Sequence, residues 1–304
     1  MLFRSVGYKD GIAAVWLRLS RELKKTRKWS QPYTVELSDV ADVAAAAEGS
    51  RVRVNPQTLN IENLTVRYGV VTAVNAVNFT LEPGKIMGLI GPNGAGKTSI
   101  IDAISGLTAS EGKVILDGKD ISGEPAMKRA RAGLARSFLS LELFDDSTVL
   151  ENLSVAADPQ DFRSFLLDVV WPINPKLPAA VVRAVTEFGL DQDLYRDVTD
   201  LSYGKRRLLA IARAVAMEPS VLLLDEPAAG LSSIESAELA KLVRRLADDW
   251  GMAIMVVEHD INFVMEVCDQ VAVIDFGVRI ALDKPEVVSR DPAVIAAYLG
   301  EAVS

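Results

Sequence analysis

The chain has 304 residues, 49% apolar and 24% charged, with 33 Lys and Arg against 41 Asp and Glu for a net charge of −8. That composition describes a globular body long enough to bury a sizeable core, and excludes a disordered or fibrous chain. The single cysteine, Cys268, excludes a disulfide-stapled secreted domain; no apolar run reaches the ~18 residues of a membrane span; and the acidic balance argues against nucleic acid as the main partner.

Along the chain the charge is uneven. Residues 1–30 carry eight Lys and Arg against Asp10 and Glu22, a net +6, and Ile12, Val15, Trp16, Leu19 and Leu23 recur at helical spacing. This predicts a basic amphipathic leader helix, suited to an anionic membrane surface or the flank of a membrane partner. Residues 31–56, with Pro32, an alanine tract and Pro56, lack a sustained period and are read as a linker, so the main domain is set at 57–304. Strands are expected at 59–66 and 74–81 with a turn at Tyr68-Gly69, then a buried strand at 85–90 and a helix carrying Ile100, Ile101, Ile104 and Leu107. Residues 124–201 have a mainly helical pattern broken by prolines. Helices at 203–217, 233–248 and 260–267 then alternate with strands at 220–224, 252–257 and about 270–275. Such alternation predicts an α/β fold with a mostly parallel sheet covered on both faces. No targeting or cleavable leader pattern is present, so a cytoplasmic location is expected.

Two segments carry chemistry. Gly91-Pro92-Asn93-Gly94-Ala95-Gly96-Lys97-Thr98, with Ser99 next, fits the G-x-x-x-x-G-K-[ST] phosphate loop and stands between a predicted strand and a predicted helix. Its glycines turn backbone N–H groups toward phosphate oxygens, Lys97 can reach the outer phosphates, and Thr98 can ligate Mg²⁺. In Val221-Leu222-Leu223-Leu224-Asp225-Glu226, four apolar residues end in two acids, which puts both carboxylates at the C-terminal end of a buried strand. Asp225 suits Mg²⁺, and Glu226 suits an attacking water.

Leu201-Ser202-Tyr203-Gly204-Lys205 lies between these segments, and Glu258-His259 follows the second. In this order the motifs resemble the ATP-binding subunit of an ATP-binding cassette (ABC) transporter over roughly residues 57–300. The resemblance implies a P-loop-type, mostly parallel core with an antiparallel β subdomain, an inserted helical subdomain at about 139–215 and C-terminal helices at about 284–300. It makes ATP with Mg²⁺ the bound species and implies that Tyr68 stacks on adenine. Ser202 and Gly204 would bind the γ-phosphate held by a second ATPase subunit, identical or paralogous, and His259 would contact γ-phosphate while aligning water with Glu226. Integral-membrane permease subunits would be the partners, with an extracytoplasmic solute-binding protein acting through them, and the subunit would sit on the inner face of the membrane.

Softer features narrow the subfamily. Ala135-Arg136-Ser137-Phe138, Thr148-Val149-Leu150-Glu151-Asn152-Leu153, Pro227-Ala228-Ala229-Gly230-Leu231 and the run from Asp291 to Gly300 resemble the ATPases of branched-chain amino acid importers and their amide and urea relatives. Three positions depart from the pattern. Leu139 stands where a glutamine usually senses Mg²⁺ and touches the permease, Lys205 replaces the signature glutamine, and Ser232 replaces an acidic or amide residue. The apolar stretch from Phe162 to Trp171 is read as core rather than as a grip on the permease, and Cys268 as a buried small hydrophobe. A soluble ABC-type regulator is the alternative; a single cassette without extended heptads, together with the acidic surface, weighs against it.

Overall fold

A computed structural model describes residues 54–157 and 178–301. The leader, most of the linker and the stretch from Phe162 to Trp171 lie outside the described residues. Val54 is already buried, and its N–H bonds to the Trp250 carbonyl at 3.1 Å, so the packed body starts before residue 57.

Strands β1 (Leu59–Tyr68), β2 (Val71–Leu81), β4 (Glu111–Leu116) and β5 (Lys119–Asp120) form an antiparallel sheet in the order β2-β1-β4-β5. A second sheet has the order β10-β9-β3-β8-β7-β6. It comprises β3 (Ile86–Ile90), β6 (Leu134–Ser137), β7 (Val221–Asp225), β8 (Ala253–Val257), β9 (Gln270–Asp275) and β10 (Val278–Asp283). All its pairings are parallel except that of the edge strand β10 with β9.

The central strands are buried on both faces, and their two-residue period divides the apolar side chains between two cores. Met87, Leu89, Leu223 and Met255 face the antiparallel sheet and α1 (Lys97–Ser105). Ile86, Ile90, Leu222, Leu224 and Ile254 face the opposite core. That second core also takes in α3 (Val149–Ala157), α4 (Ala179–Glu187), α5 (Tyr203–Val215), α6 (Ser233–Asp248) and α7 (Ile261–Val267). Short helices α2 (Ala126–Arg131), α8 (Pro285–Val288) and α9 (Pro292–Glu301) complete the described elements, with two single 3₁₀ turns before α5.

The structure corrects the sequence reading in three places. The first turn falls at Gly69-Val70, because β1 runs through Tyr68. The stretch 124–201 is not purely helical, since 134–137 forms β6 and joins the edge of the parallel sheet beside β7. Strands β4, β5 and β10 are further elements that the sequence reading did not include: β5 and β10 lie at sheet edges, and β4 lies between β1 and β5. Cys268 is buried, with its thiol pushed up to about 12 chiefly by burial, so it carries no thiolate at neutral pH.

Candidate active site

The phosphate loop leaves the end of β3 and enters α1, so backbone amides and the positive end of the helix dipole converge there. Gly91 is obligatory: its φ is +153°, and a Cβ would strike the Ile274 carbonyl of β9. The Lys97 ammonium is folded over the loop, donating to the carbonyls of Gly91 at 2.7 Å and Pro92 at 2.9 Å. Asn93, Gly94 and Thr98 are exposed on the loop, and Ser99 is partly so.

Strand order brings the remaining groups alongside. In the sheet β3 neighbours β8, and β8 neighbours β7, so the phosphate loop, the segment after β8 and the acidic end of β7 emerge side by side at the C-terminal edge. His259 Nδ1 lies 3.7 Å from Glu226 Oε2, with the imidazole exposed and the carboxylate half-buried. The Glu226 backbone is left-handed (φ +45°), and its N–H bonds to the Val257 carbonyl at 2.8 Å. This conformation turns the chain sharply off β7 and aims the carboxylate toward the β8 end.

Asp225 is nearly buried and paired with Arg136 of β6 at 2.7 Å; the same guanidinium reaches Asp102 of α1 at 2.5 Å and stacks over the Phe138 ring. Thr98 and Asp225 offer a hydroxyl and a carboxylate, the hard oxygen donors that Mg²⁺ accepts alongside phosphates and waters. Among the described residues no cluster of three or more His, Cys, Asp or Glu exists, so a cage made only of protein ligands is not what this site provides. The donors fit Mg²⁺ carried in with a nucleotide.

Glu258, which the sequence reading used only as part of a motif, is 1% exposed. Its Oε1 accepts from Ala228 N–H at 2.8 Å and its Oε2 from His259 N–H at 3.0 Å, so it ties the turn after Glu226 to the turn bearing His259. Burial raises its pKa, while these N–H bonds act in the opposite direction.

The signature residues open α5, and Tyr203 donates its hydroxyl to the Ala229 carbonyl at 3.3 Å, in the turn that follows Glu226. Ser202 caps α5, its hydroxyl accepting from Lys205 N–H at 3.3 Å, and it is exposed. Gly204 is buried, and a Cβ there would collide with Glu235, whose carboxylate completes the capping box of α6 with Ser232. Ser232 therefore has a local role as a helix cap. Tyr68 is half exposed, with its hydroxyl 3.5 Å from Thr108, beyond the C-terminal end of α1. Lys205 is not a loose polar head: it binds the buried Asp193 at 2.5 Å, and together with Arg196 it holds that carboxyl below the usual range.

The motif order, the sheet position and this geometry agree with comparisons to known proteins. The "ABC transporter" family model matches residues 74–229, and a "Branched-chain amino acid ATP-binding cassette transporter" model matches 278–304. The high-affinity branched-chain amino acid transport ATP-binding protein BraF of Pseudomonas aeruginosa is 37% identical over 80% of this chain and 98% of its own length. LivG of Escherichia coli K12 is 38% identical over the same shares. The lipopolysaccharide export system ATP-binding protein LptB of Haemophilus influenzae is 32% identical over 80% of this chain and 97% of its own. Among solved structures, the ADP conformation of MJ1267, an ATP-binding cassette of an ABC transporter, superposes with TM-score 0.70 at 27% identity, covering 81% of this chain and 99% of that one. The chain belongs to the ABC transporter family, as one of its ATP-hydrolysing, ATP-binding subunits.

Proposed function

We propose that this subunit powers import of branched-chain amino acids, or of related amides, through separate integral-membrane permease subunits, lying against the inner face of the membrane. The observation that carries the choice of cargo is the match of residues 278–304 to the branched-chain amino acid model. The nucleotide-binding body alone does not fix cargo, since it also resembles the ATP-binding protein of an export system. No helix among the described residues is long and apolar enough to cross a membrane; in this reading the translocation path belongs to partner chains.

Hydrolysis in this reading is positioning plus electrostatics. Lys97 leaves the Gly91 and Pro92 carbonyls for the outer phosphates of ATP, and the loop amides hold the phosphate oxygens. Thr98 and Asp225 would hold Mg²⁺, which when bound would neutralise phosphate charge. Glu226 accepts a hydrogen bond from the attacking water, and His259, 3.7 Å away, orients that carboxylate and meets the γ-phosphate. Tyr68 stacks on adenine. The exposed N-terminus of α5, with Ser202 and the tightly packed Gly204, closes over the nucleotide of a second ATPase subunit, so ATP joins the two.

The test is uptake of labelled leucine, isoleucine and valine by cells with and without the gene, together with identification of the membrane proteins that co-purify with the chain. Loss of uptake and recovery of a permease pair support the reading; intact uptake with ribosomes or DNA as the co-purifying material overturns it.

A further inference from the structure

Among the described residues the largest side chain buried without appreciable exposure is an arginine. Arg207 is 1% exposed and occupies the inward stripe of α5 with Gly204, Ile211 and Ala214. A guanidinium in such a place normally neutralises a carboxylate. This one instead gives its hydrogen bonds to main-chain carbonyls drawn from two separate loops. Nη1 donates to Leu139 at 2.7 Å and Phe138 at 3.3 Å; Nε donates to Pro227 at 3.0 Å; Nη2 donates to Glu226 and, at 3.4 Å, to Asp225.

The peptide it grips is the one whose geometry matters most. Glu226 is an L-residue in the left-handed region, a conformation that persists only when its surroundings impose it. Its N–H is held by the Val257 carbonyl, and its carbonyl accepts from both Arg207 and Ala229 N–H. The strand partner fixes one side of the residue and Arg207 the other. Without Arg207 the Glu226 carbonyl keeps only the Ala229 N–H, so the left-handed turn is held less tightly and its carboxylate is aimed less firmly at His259.

We propose that Arg207 is a positioning residue for ATP hydrolysis, holding Glu226 in its left-handed conformation and tying that conformation to α5 and to the backbone of residues 138 and 139. This rests on Glu226 acting on the attacking water. It also supplies a mechanical link: a shift of the 138–139 segment or of α5 reaches the Glu226 peptide through one rigid, five-donor group.

The test compares the full-length wild type with Arg207→Lys and Arg207→Met, alone and in a Glu226→Gln background, reading ATP affinity, KM, kcat and hydrogen exchange. Arg207→Met should lower kcat by about 10–100-fold, the loss of one or two charge-assisted hydrogen bonds acting in the transition state. KM and ATP affinity should stay within about threefold, Arg207→Lys should recover part of the rate, and the peptide covering 225–231 should exchange faster while α1 does not. In the Glu226→Gln background, Arg207→Met should add less than about threefold. If Arg207→Met does not fold, Arg207→Lys carries the test through the same split between kcat and KM. Unchanged kcat in a folded variant overturns the proposal, as does a fall in ATP affinity parallel to that in kcat, which marks a merely structural role. Glu226→Gln retaining full turnover removes the basis of the proposal by a different route, because the failure then lies with Glu226 and is visible without touching Arg207.

Discussion

Arg136 sits between two carboxylates that belong to different motifs, Asp102 on the phosphate-loop helix and Asp225 at the end of β7, at 2.5 and 2.7 Å. The side chains of Arg136 and Asp225 are 6% and 9% exposed, so this is a buried pair with little solvent screening. Arg136→Met keeps the apolar stem and removes the charge, leaving Asp225 buried beside a second carboxylate. Breaking a buried pair in this way costs about 3–5 kcal/mol, a large share of the ~5–15 kcal/mol that holds a typical domain together. The loss should depend on ligands. In EDTA without nucleotide the full deficit appears, whereas with ADP·Mg²⁺ a divalent cation beside Asp225 replaces the missing positive charge and the deficit shrinks by at least ~1 kcal/mol, the scale of a single charge-assisted contact. Urea unfolding of wild type and variant, with EDTA, ADP plus EDTA, and ADP plus Mg²⁺, measures this directly. A deficit below about 1 kcal/mol in EDTA, or one that ADP·Mg²⁺ leaves unchanged relative to ADP plus EDTA, refutes the reasoning.

Leu139 is half exposed and its carbonyl accepts from Arg207, so Leu139→Gln should add a polar contact to the site and raise turnover, alone or with permease, by up to ~10–100-fold with ATP affinity unchanged; equal turnover under both conditions refutes it. Asp193→Asn should cost about 1.5–3 kcal/mol at neutral pH by removing the anion that binds Lys205 and Arg196. Because the folded carboxyl lies below its usual value, that stability is present above the ordinary carboxyl range and is lost as pH falls through the depressed value, so the Tm gap between variant and wild type should close in acid. Gly204→Ala should gain up to ~1 kcal/mol of helix propensity but displace Glu235 from the Ser232 cap, which is worth a similar amount. Its Tm should therefore barely move, while ATP-driven dimerisation, followed by light scattering, should fail.

The catalytic strands were legible because sequence and burial speak the same language there: residues 221–224 and Ala253–Val257 are unbroken apolar runs buried on both faces, each followed by polar chemistry. Partly exposed strands were not. In β4 only the second half of Glu-Gly-Lys-Val-Ile-Leu is buried, and β10 is half exposed throughout, so neither shows a core-facing alternation strong enough to read. Strand β6 is four residues long and contains an arginine, which by composition looks like a surface or helical residue. Arg136 and Arg207 were missed as structural centres for the same reason, although Arg207 left a trace: it falls on the apolar stripe of α5, in register with Ile211, where a solvated arginine has no place. The convergence of Glu226 and His259 needed the strand order, since it depends on β7 and β8 being neighbours.

The central claim, that Glu226 completes a nucleotide site shared by two ATPase subunits, is tested most directly by the mass of purified Glu226→Gln in saturating ATP·Mg²⁺, measured by size exclusion with light scattering beside Lys97→Ala. The account predicts that Glu226→Gln retains ATP and runs as a dimer, while Lys97→Ala binds no ATP and stays monomeric. A Glu226→Gln protein that remains monomeric and hydrolyses ATP at the wild-type rate contradicts it.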